Sequence, residues 1–395
     1  MDGLGLFVLL LAIVISLLGL WASMGRRGVV SYLLQVSLFI GAVFLMVSST
    51  NLLLFYVLWE MVTILSWSIS RRSGFHSYPA LGPLPMQGLG GIATVCMFAA
   101  LMFIAVANRT LSMAPVQSAS VVPVTVLLLA AVYLKTYGLL AQTWLPGEPR
   151  MAGVSNALVA GAGIVAVGLY PYVRFFWTIL GSQEGWRGIA LPVSLAIAVV
   201  AALIALGERD SHRLLSYGAL SQFAWFLAAF AVLGPQQAGA LFLALLTCAL
   251  ALSVMFVVLG LAESISGERD IRQSGGLMRV SPLVGVLFVL SALATVGLPP
   301  FGGFIGRLSV GLPVIAGGNL SVGLILFGVS GLSLLYLLRL FGMLFLGEVR
   351  RPVSEVAGVS EYLAISVVLV ILLVIGLASP LLSSWIQVSF AMPFG

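Results

Sequence analysis

Long apolar runs of about twenty residues each, without strand-like alternation, fill this chain from Leu4 to its last third. That length of helix spans roughly 30 Å, the thickness of a bilayer's hydrocarbon core. Only helices and closed barrels satisfy their backbone polar groups in lipid, and barrel strands would show short alternating segments. The composition agrees: 61% of the 395 residues are hydrophobic and 8% are charged. A globular surface in water needs about a quarter of the residues charged. Spans are expected near 4–23, 31–49, 52–70, 88–107, 121–145, 152–178, 189–207, 213–233, 237–262, 281–317 with a break, 320–346 and 361–384. The expected fold is an all-α polytopic membrane protein of about twelve transmembrane helices. No linker or low-complexity segment divides it, so residues 1–395 read as one transmembrane domain.

The start, Met1-Asp2-Gly3, lacks a basic region and a small-residue cleavage site, so Leu4 to Trp21 reads as a retained span. Arginines sort by loop. Arg26, Arg27, Arg71, Arg72, Arg150, Arg209, Arg213, Arg269, Arg272, Arg279, Arg350 and Arg351 fall in odd loops, against Arg109 and Arg187 in even ones. By the positive-inside rule the odd loops lie in the cytoplasm and both termini on the other side. This sorting, and not nucleic-acid binding, accounts for the net charge of +6. Cys96 and Cys248 sit in apolar runs as small buried hydrophobes. No cysteine cluster, glycine-rich nucleotide loop or metal-ligand spacing is present, so no cofactor is expected in this chain.

Two spans carry breakers. The fifth ends in Trp144-Leu145-Pro146-Gly147, and the tenth is cut by Gly297-Leu298-Pro299-Pro300-Phe301-Gly302-Gly303. Proline removes a helix bond, and the freed carbonyls must face protein or water. Interrupted helices at related places in two halves point to a transporter with inverted repeats. The halves are expected at about 31–178 and 189–346, followed by a terminal helix at about 361–384.

Charges within the spans are the functional candidates. Glu60 lies mid-span in Leu58-Trp59-Glu60-Met61-Val62, Lys135 lies in the fifth span, and Arg307 follows the break in the tenth. A charge at bilayer depth costs about 2.5–3.5 kcal/mol on insertion scales, so it is kept where it pairs, faces water or works. Burial disfavours the charged form of an amine or carboxyl, and a nearby opposite charge favours it. A Glu–Lys pair can therefore release a proton when separated and recover it when joined. A purely structural buried pair is the alternative for Glu60 and Lys135. Arginine does not give up its proton, so Arg307 can set a field but carries protons poorly. Arg174 and Arg339 read as interfacial anchors. His76 and His212 read as solvated loop residues, and Glu208-Arg209-Asp210 as a solvated charge cluster.

Five landmarks in order resemble the antiporter-like subunits of respiratory complex I, multisubunit cation/proton antiporters and energy-converting membrane hydrogenases. They are Leu58-Trp59-Glu60, Leu134-Lys135 with Trp144-Leu145-Pro146, His212-Arg213-Leu214-Leu215-Ser216-Tyr217, Gly297-Leu298-Pro299-Pro300, and Gly303-Phe304-Ile305-Gly306-Arg307. The resemblance runs from about residue 30 to residue 346. It implies two inverted repeats, each with a broken helix, and a count that lacks the family's first two helices. It also implies a proton-translocation axis in which Glu60 matches the family glutamate, Lys135 the lysine of the first broken helix, and Arg307 the lysine or glutamate of the second. Family polar positions are here Ala166, Gln222, Cys248 and Leu252, so the expected channel is partial, with Tyr217, Ser221 and Gln222 as possible relays.

The implied setting is an energy-transducing membrane of the prokaryotic cytoplasmic type. The implied role is a membrane-arm subunit of a redox-driven complex, with other membrane subunits and soluble redox subunits as partners. Iron–sulfur clusters and quinone or hydrogenase metals are then expected in those partners. The alternatives are a subunit of a cation/proton antiporter or inorganic-carbon uptake system without redox chemistry, and a degenerate structural subunit. The orientation is testable with cysteines placed in a background lacking Cys96 and Cys248. A membrane-impermeant maleimide added to intact cells is expected to label Ser182→Cys and to spare Ser73→Cys; the reverse pattern would invert the topology.

Overall fold

The computed structural model describes residues 2–24, 29–70, 84–116, 121–143, 149–181, 185–234, 237–349 and 358–390. The expected break at Trp144-Leu145-Pro146-Gly147 lies outside the described residues, as do Arg26, Arg27, Arg71, Arg72, His76, Arg350 and Arg351. The helices run α1 (Gly3–Ala22), α2 (Val29–Ser48), α3 (Leu52–Ser70), α4 (Leu84–Asn108), α5 (Val121–Gln142), α6 (Pro149–Leu158), α7 (Tyr170–Val173), α8 (Trp186–Gly207), α9 (Ser211–Val232), α10 (Ala238–Ser266), α11 (Leu277–Val280), α12 (Pro282–Val296), α13 (Gly302–Ala316), α14 (Leu320–Phe345) and α15 (Val359–Phe390). Among the described residues, 11 helical spans are long and apolar enough to cross a membrane, and the shorter α12 and α13 are the two halves of the broken one. The chain is an all-α polytopic membrane protein.

The bundle has an inside and a lipid side because its apolar residues are divided between them. Residues 152–173 are buried without exception, and α9 and α10 are buried along almost their whole lengths. Helices α2, α3, α4, α8, α14 and α15 instead expose large apolar side chains on one face, such as Leu34, Val57, Val95, Val106, Val200, Leu338 and Val370. In water such a surface would aggregate; against lipid tails it is the correct solvent.

The central crossing is made of small residues. A Cβ on Gly153 of α6 would stand 2.8 Å from the Phe256 carbonyl oxygen, and one on Gly260 of α10 would stand 2.6 Å from the Pro149 carbonyl oxygen. Small residues let helix backbones touch, which is how helices associate where lipid removes the hydrophobic drive. Beyond α6 the span turns π-helical at Val159–Gly163, Val165–Leu169 and Arg174–Ile179. Wider π turns leave some carbonyls aimed sideways. The Val167 carbonyl takes the Trp59 indole N–H at 2.7 Å, and so ties α3 to this span.

Helix α12 stops where Gly297 adopts a left-handed φ of 75°, followed by a cis Pro299–Pro300 bond, and α13 starts after Phe301. Helix α15 covers the break: a Cβ on Gly376 would collide with the Pro300 carbonyl oxygen. At the charged ends the helices run further than hydropathy alone implies. Arg150 is not a loop residue but sits buried in the first turn of α6, 2.9 Å from Ser264 and 3.9 Å from Glu361. Polar ends that find partners on neighbouring helices can continue the helix, so a hydropathy edge stops too early. A leucine at Gly260 is expected to lower stability by about 1–3 kcal/mol, because the α6 backbone at Pro149 and Gly153 blocks the side chain. Thermal unfolding in detergent checks this; an unchanged midpoint would contradict the close crossing.

Candidate functional site

The structure brings Glu60 and Lys135 together. Lys135, on α5, is 4% exposed, and its Nζ donates to Glu60 Oε1 and Oε2, each at 2.7 Å. Its third partner is Thr94 Oγ1 on α4 at 2.8 Å, and the same hydroxyl donates to Glu60 Oε1 at 2.8 Å. The Trp59 ring lies 4.7 Å below the ammonium. Helices α3 and α4 thus supply the ammonium of α5 with three oxygens and an aromatic face, which offsets the cost of holding it away from water. Glu60 is the less enclosed partner, with 22% of its side chain exposed beside the apolar outer faces of α3 and α4.

Arg307 is a separate centre. It rises from α13 into the interior, where Gly297 makes room: a Cβ there would meet Arg307 Cδ and Nε at 2.6 Å. Its Nη1 donates to Ser330 at 2.8 Å, and its Nη2 to the Thr295 carbonyl at 2.9 Å and to Gln222 Oε1. Thr295 sits at the end of α12, so the guanidinium satisfies a carbonyl that the helix break leaves without its helical partner. The group stacks 5.1 Å from the Trp225 ring. Among the described residues no carboxylate pairs with it. Gln222 also donates to Ser333 at 2.7 Å, so it belongs to the Arg307 cluster. Ser221 instead turns to the Ala198 carbonyl at 2.7 Å, and the Tyr217 ring packs 6.4 Å from that of Tyr137.

Beside Gln222 lies a cavity of about 20 Å³ lined by Ile164, Val165, Phe223, Phe226, Cys248 and Leu252 among others. Ala166 lies on the neighbouring π-helical turn, buried. A water needs two to four polar partners to stay in such a space, and these walls are almost wholly apolar. No hydrogen bond between described side chains carries the Glu60 and Lys135 cluster across to Arg307.

A third centre went unread in the sequence, and His212 corrects the expectation of a solvated loop residue. It is fully buried in the first turn of α9, with Nε2 2.5 Å from Glu263 Oε2 on α10 and Nδ1 3.1 Å from the Asn156 amide nitrogen on α6. Glu263 also accepts from Arg269 Nε at 2.5 Å. Paired loops hold this arrangement. Ser211 N–H donates to the Arg269 carbonyl at 3.1 Å and Ile271 N–H to the Arg209 carbonyl at 3.0 Å. Asp210 is likewise no merely solvated charge: its carboxylate caps α9 by accepting from Arg213 N–H at 2.9 Å. Asp270, in the facing loop, has its carboxyl held below the ordinary range, chiefly by the hydrogen bond from the Arg272 backbone N–H.

The residues read as anchors also have partners. Arg174 pairs with Asp2 at one end of the bundle, and Arg339 donates to the Leu206 and Glu208 carbonyls at 2.7 and 2.8 Å. Among the described residues no three of His, Cys, Asp and Glu gather as metal ligands.

Residues 49–335 match the family model described as "NADH:quinone oxidoreductase/Mrp antiporter, TM". The chain is 25% identical over 337 residues to Na(+)/H(+) antiporter subunit A1 of Staphylococcus aureus (strain JH9), covering 78% of this chain and 42% of that protein. It is 26% identical over 239 residues to NADH-quinone oxidoreductase subunit M of Mycobacterium tuberculosis (strain ATCC 25618 / H37Rv), covering 59% of this chain and 42% of that one. The chain therefore matches about two fifths of the length of these relatives. A chain of the Mrp complex from Dietzia sp. DQ12-45-1b has the same fold, with a TM-score of 0.83 at 20% identity, over 100% of this chain and 84% of that one.

The Glu60–Lys135 cluster predicts an asymmetric double-mutant cycle. Glu60→Gln alone leaves the Lys135 ammonium unpaired and is expected to cost about 3 kcal/mol, whereas adding Lys135→Met recovers part of that loss. Unfolding free energies of the single and double variants measure it, and strictly additive losses would show that the pair does not interact.

Proposed function

This chain belongs to the NADH:quinone oxidoreductase/Mrp antiporter transmembrane family, and on that premise we propose that it is an ion-translocating subunit of a multisubunit membrane complex. Protons move through its Glu60–Lys135 pair. The observation that carries this reading is the direct contact of a buried ammonium with a less enclosed carboxylate at 2.7 Å. Such a bond is short enough for a proton to pass from Nζ to Oε, which leaves a neutral amine and a neutral acid. A neighbouring subunit placed against the outer faces of α3 and α4 would see the Glu60 side of the pair and shift its balance.

The second half does different work in this proposal. Arg307 keeps its charge, so it acts as a fixed cation that discourages a second positive charge nearby. Gln222, which binds Arg307, lines an apolar cavity, no hydrogen bond between described side chains links Arg307 to the titrating pair, and the channel is read as partial. The two halves of the chain are read as inverted repeats, with the odd loops in the cytoplasm.

The driving reaction is placed in partner subunits. In the favoured reading these are redox subunits with iron–sulfur clusters and a quinone or hydrogenase centre. The second reading is cation/proton antiport without redox chemistry, favoured by the longer match to an antiporter subunit, 78% of this chain against 59%. Purification of the tagged chain from its native membrane in mild detergent, with partners identified by mass spectrometry, separates the two. In the reconstituted complex, Glu60→Gln is expected to cut proton translocation by about tenfold or more while assembly is retained. Unchanged translocation in an intact complex would sink the proposed role of the pair.

A further inference from the structure

The His212 cluster has a chemistry of its own. The Asn156 amide nitrogen lies 3.3 Å from the Thr143 carbonyl oxygen as well as 3.1 Å from His212 Nδ1. A carbonyl only accepts, so the group facing it is the amide NH2, and the other hydrogen of that NH2 points at Nδ1. Nδ1 is therefore the acceptor, and Nε2 carries the ring proton that binds Glu263. The imidazole is neutral, and the Glu263 carboxylate is balanced by Arg269. The other surroundings are an aromatic ring, Phe256, at 6.5 Å, and Thr143 and Ser216, whose hydroxyls contact each other. Among the described residues, Glu263 of α10 and Arg269 of the following loop are the charged groups in contact with the ring or its carboxylate; Arg150 of α6 faces Ser264 and Glu361. On its own helix, Arg213 projects from the capped turn, with Asp210 ahead of it.

We propose that His212 is a proton-accepting site at this end of the bundle, and that Asn156 couples its loading to the end of the helix that carries Lys135. A proton arriving at Nδ1 turns that atom from acceptor to donor. It then faces a donating NH2, so the Asn156 amide must rotate to offer Oδ1. The rotated amide no longer donates to the carbonyl of Thr143, the residue just after α5, whose N–H closes the helix's last turn onto the Leu140 carbonyl at 3.0 Å. Alternatively the ring passes its Nε2 proton to Glu263 Oε2, which leaves a neutral acid and the Nδ1–H tautomer. In both cases one proton enters at Nδ1 and the Asn156–Thr143 bond is lost. Thr143 lies eight residues beyond Lys135, about 12 Å along the helix axis. Arg269, 15% exposed, gives the buried Glu263 and His212 their contact with the surface. The coupling to translocation rests on the proposed role of the Glu60–Lys135 pair, whereas the protonation chemistry stands alone.

The chain contains two histidines, His76 and His212, so a full-length His76→Gln protein labelled with 15N-histidine reports His212 alone. Nitrogen NMR in lipid nanodiscs is expected to show the Nε2–H form at alkaline pH. On acidification within the folded range it is expected to show proton gain at Nδ1, with the Asn156 amide signals moving at the same pH. A ring that stays unprotonated at Nδ1 throughout, one doubly protonated throughout, or an Asn156 amide that does not respond would each overturn the proposal. Translocation adds a second readout in the native complex. His212→Gln keeps a donor toward Glu263 but carries no proton, and is expected to reduce flux as Glu60→Gln does. Full flux in His212→Gln beside lost flux in Glu60→Gln would overturn the coupling. Full flux in Glu60→Gln would instead overturn the role of the pair, and the NMR titration would still decide the His212 site.

Discussion

Desolvation governs the way this bundle is assembled. A charge or a backbone carbonyl carried into hydrocarbon must be given partners by neighbouring helices, since lipid offers none. Lys135 draws α3 and α4 onto α5 through Glu60 and Thr94. Arg307 joins α13 to α9, α12 and α14 through Gln222, Thr295 and Ser330. His212 and Glu263 tie α9 to α10 at one end, while Arg174 ties the last π-helical stretch to the residue that caps α1 at the other. Each ionic centre is also a structural joint, so the same contacts that make a charge tolerable decide which helices are neighbours.

These joints are unequal in what they can do chemically. The Glu60–Lys135 pair joins two titratable groups, and the His212–Glu263 pair joins two more. Arg307 has hydrogen-bond acceptors but no counter-ion among the described residues, and it does not titrate. These two titratable pairs lie on α3, α5, α9 and α10. The small-residue crossing of α6 and α10 brings Asn156 within reach of His212, which puts one polar amide between the third centre and the end of α5.

Some of this was legible without coordinates. Apolar run length located the spans, because bilayer thickness sets helix length whatever the tertiary contacts. The Gly297-Leu298-Pro299-Pro300 break was visible because proline and left-handed glycine end helices locally. Glu60 and Lys135 stood out because few charges occur mid-span, and opposite charges there need each other. His212, Glu263 and Arg150 were missed for one reason: each lies within a turn of a helix end, where hydropathy cannot tell solvent from a neighbouring helix.

The amino-acid sequence by itself determined that this chain is a bundle of membrane-spanning helices, where one of them breaks, and which two mid-span charges of opposite sign lie in separate helices. Those properties follow from run length and from local backbone chemistry. Tertiary structure alone decided that Thr94 completes the Lys135 shell, that Gln222 serves Arg307 while Ser221 does not, and that a histidine at a loop edge is buried against a glutamate. These depend on which faces of distant helices meet, and that is set by the close approach of glycine-lined backbones and the paired loops before α9 and after α10.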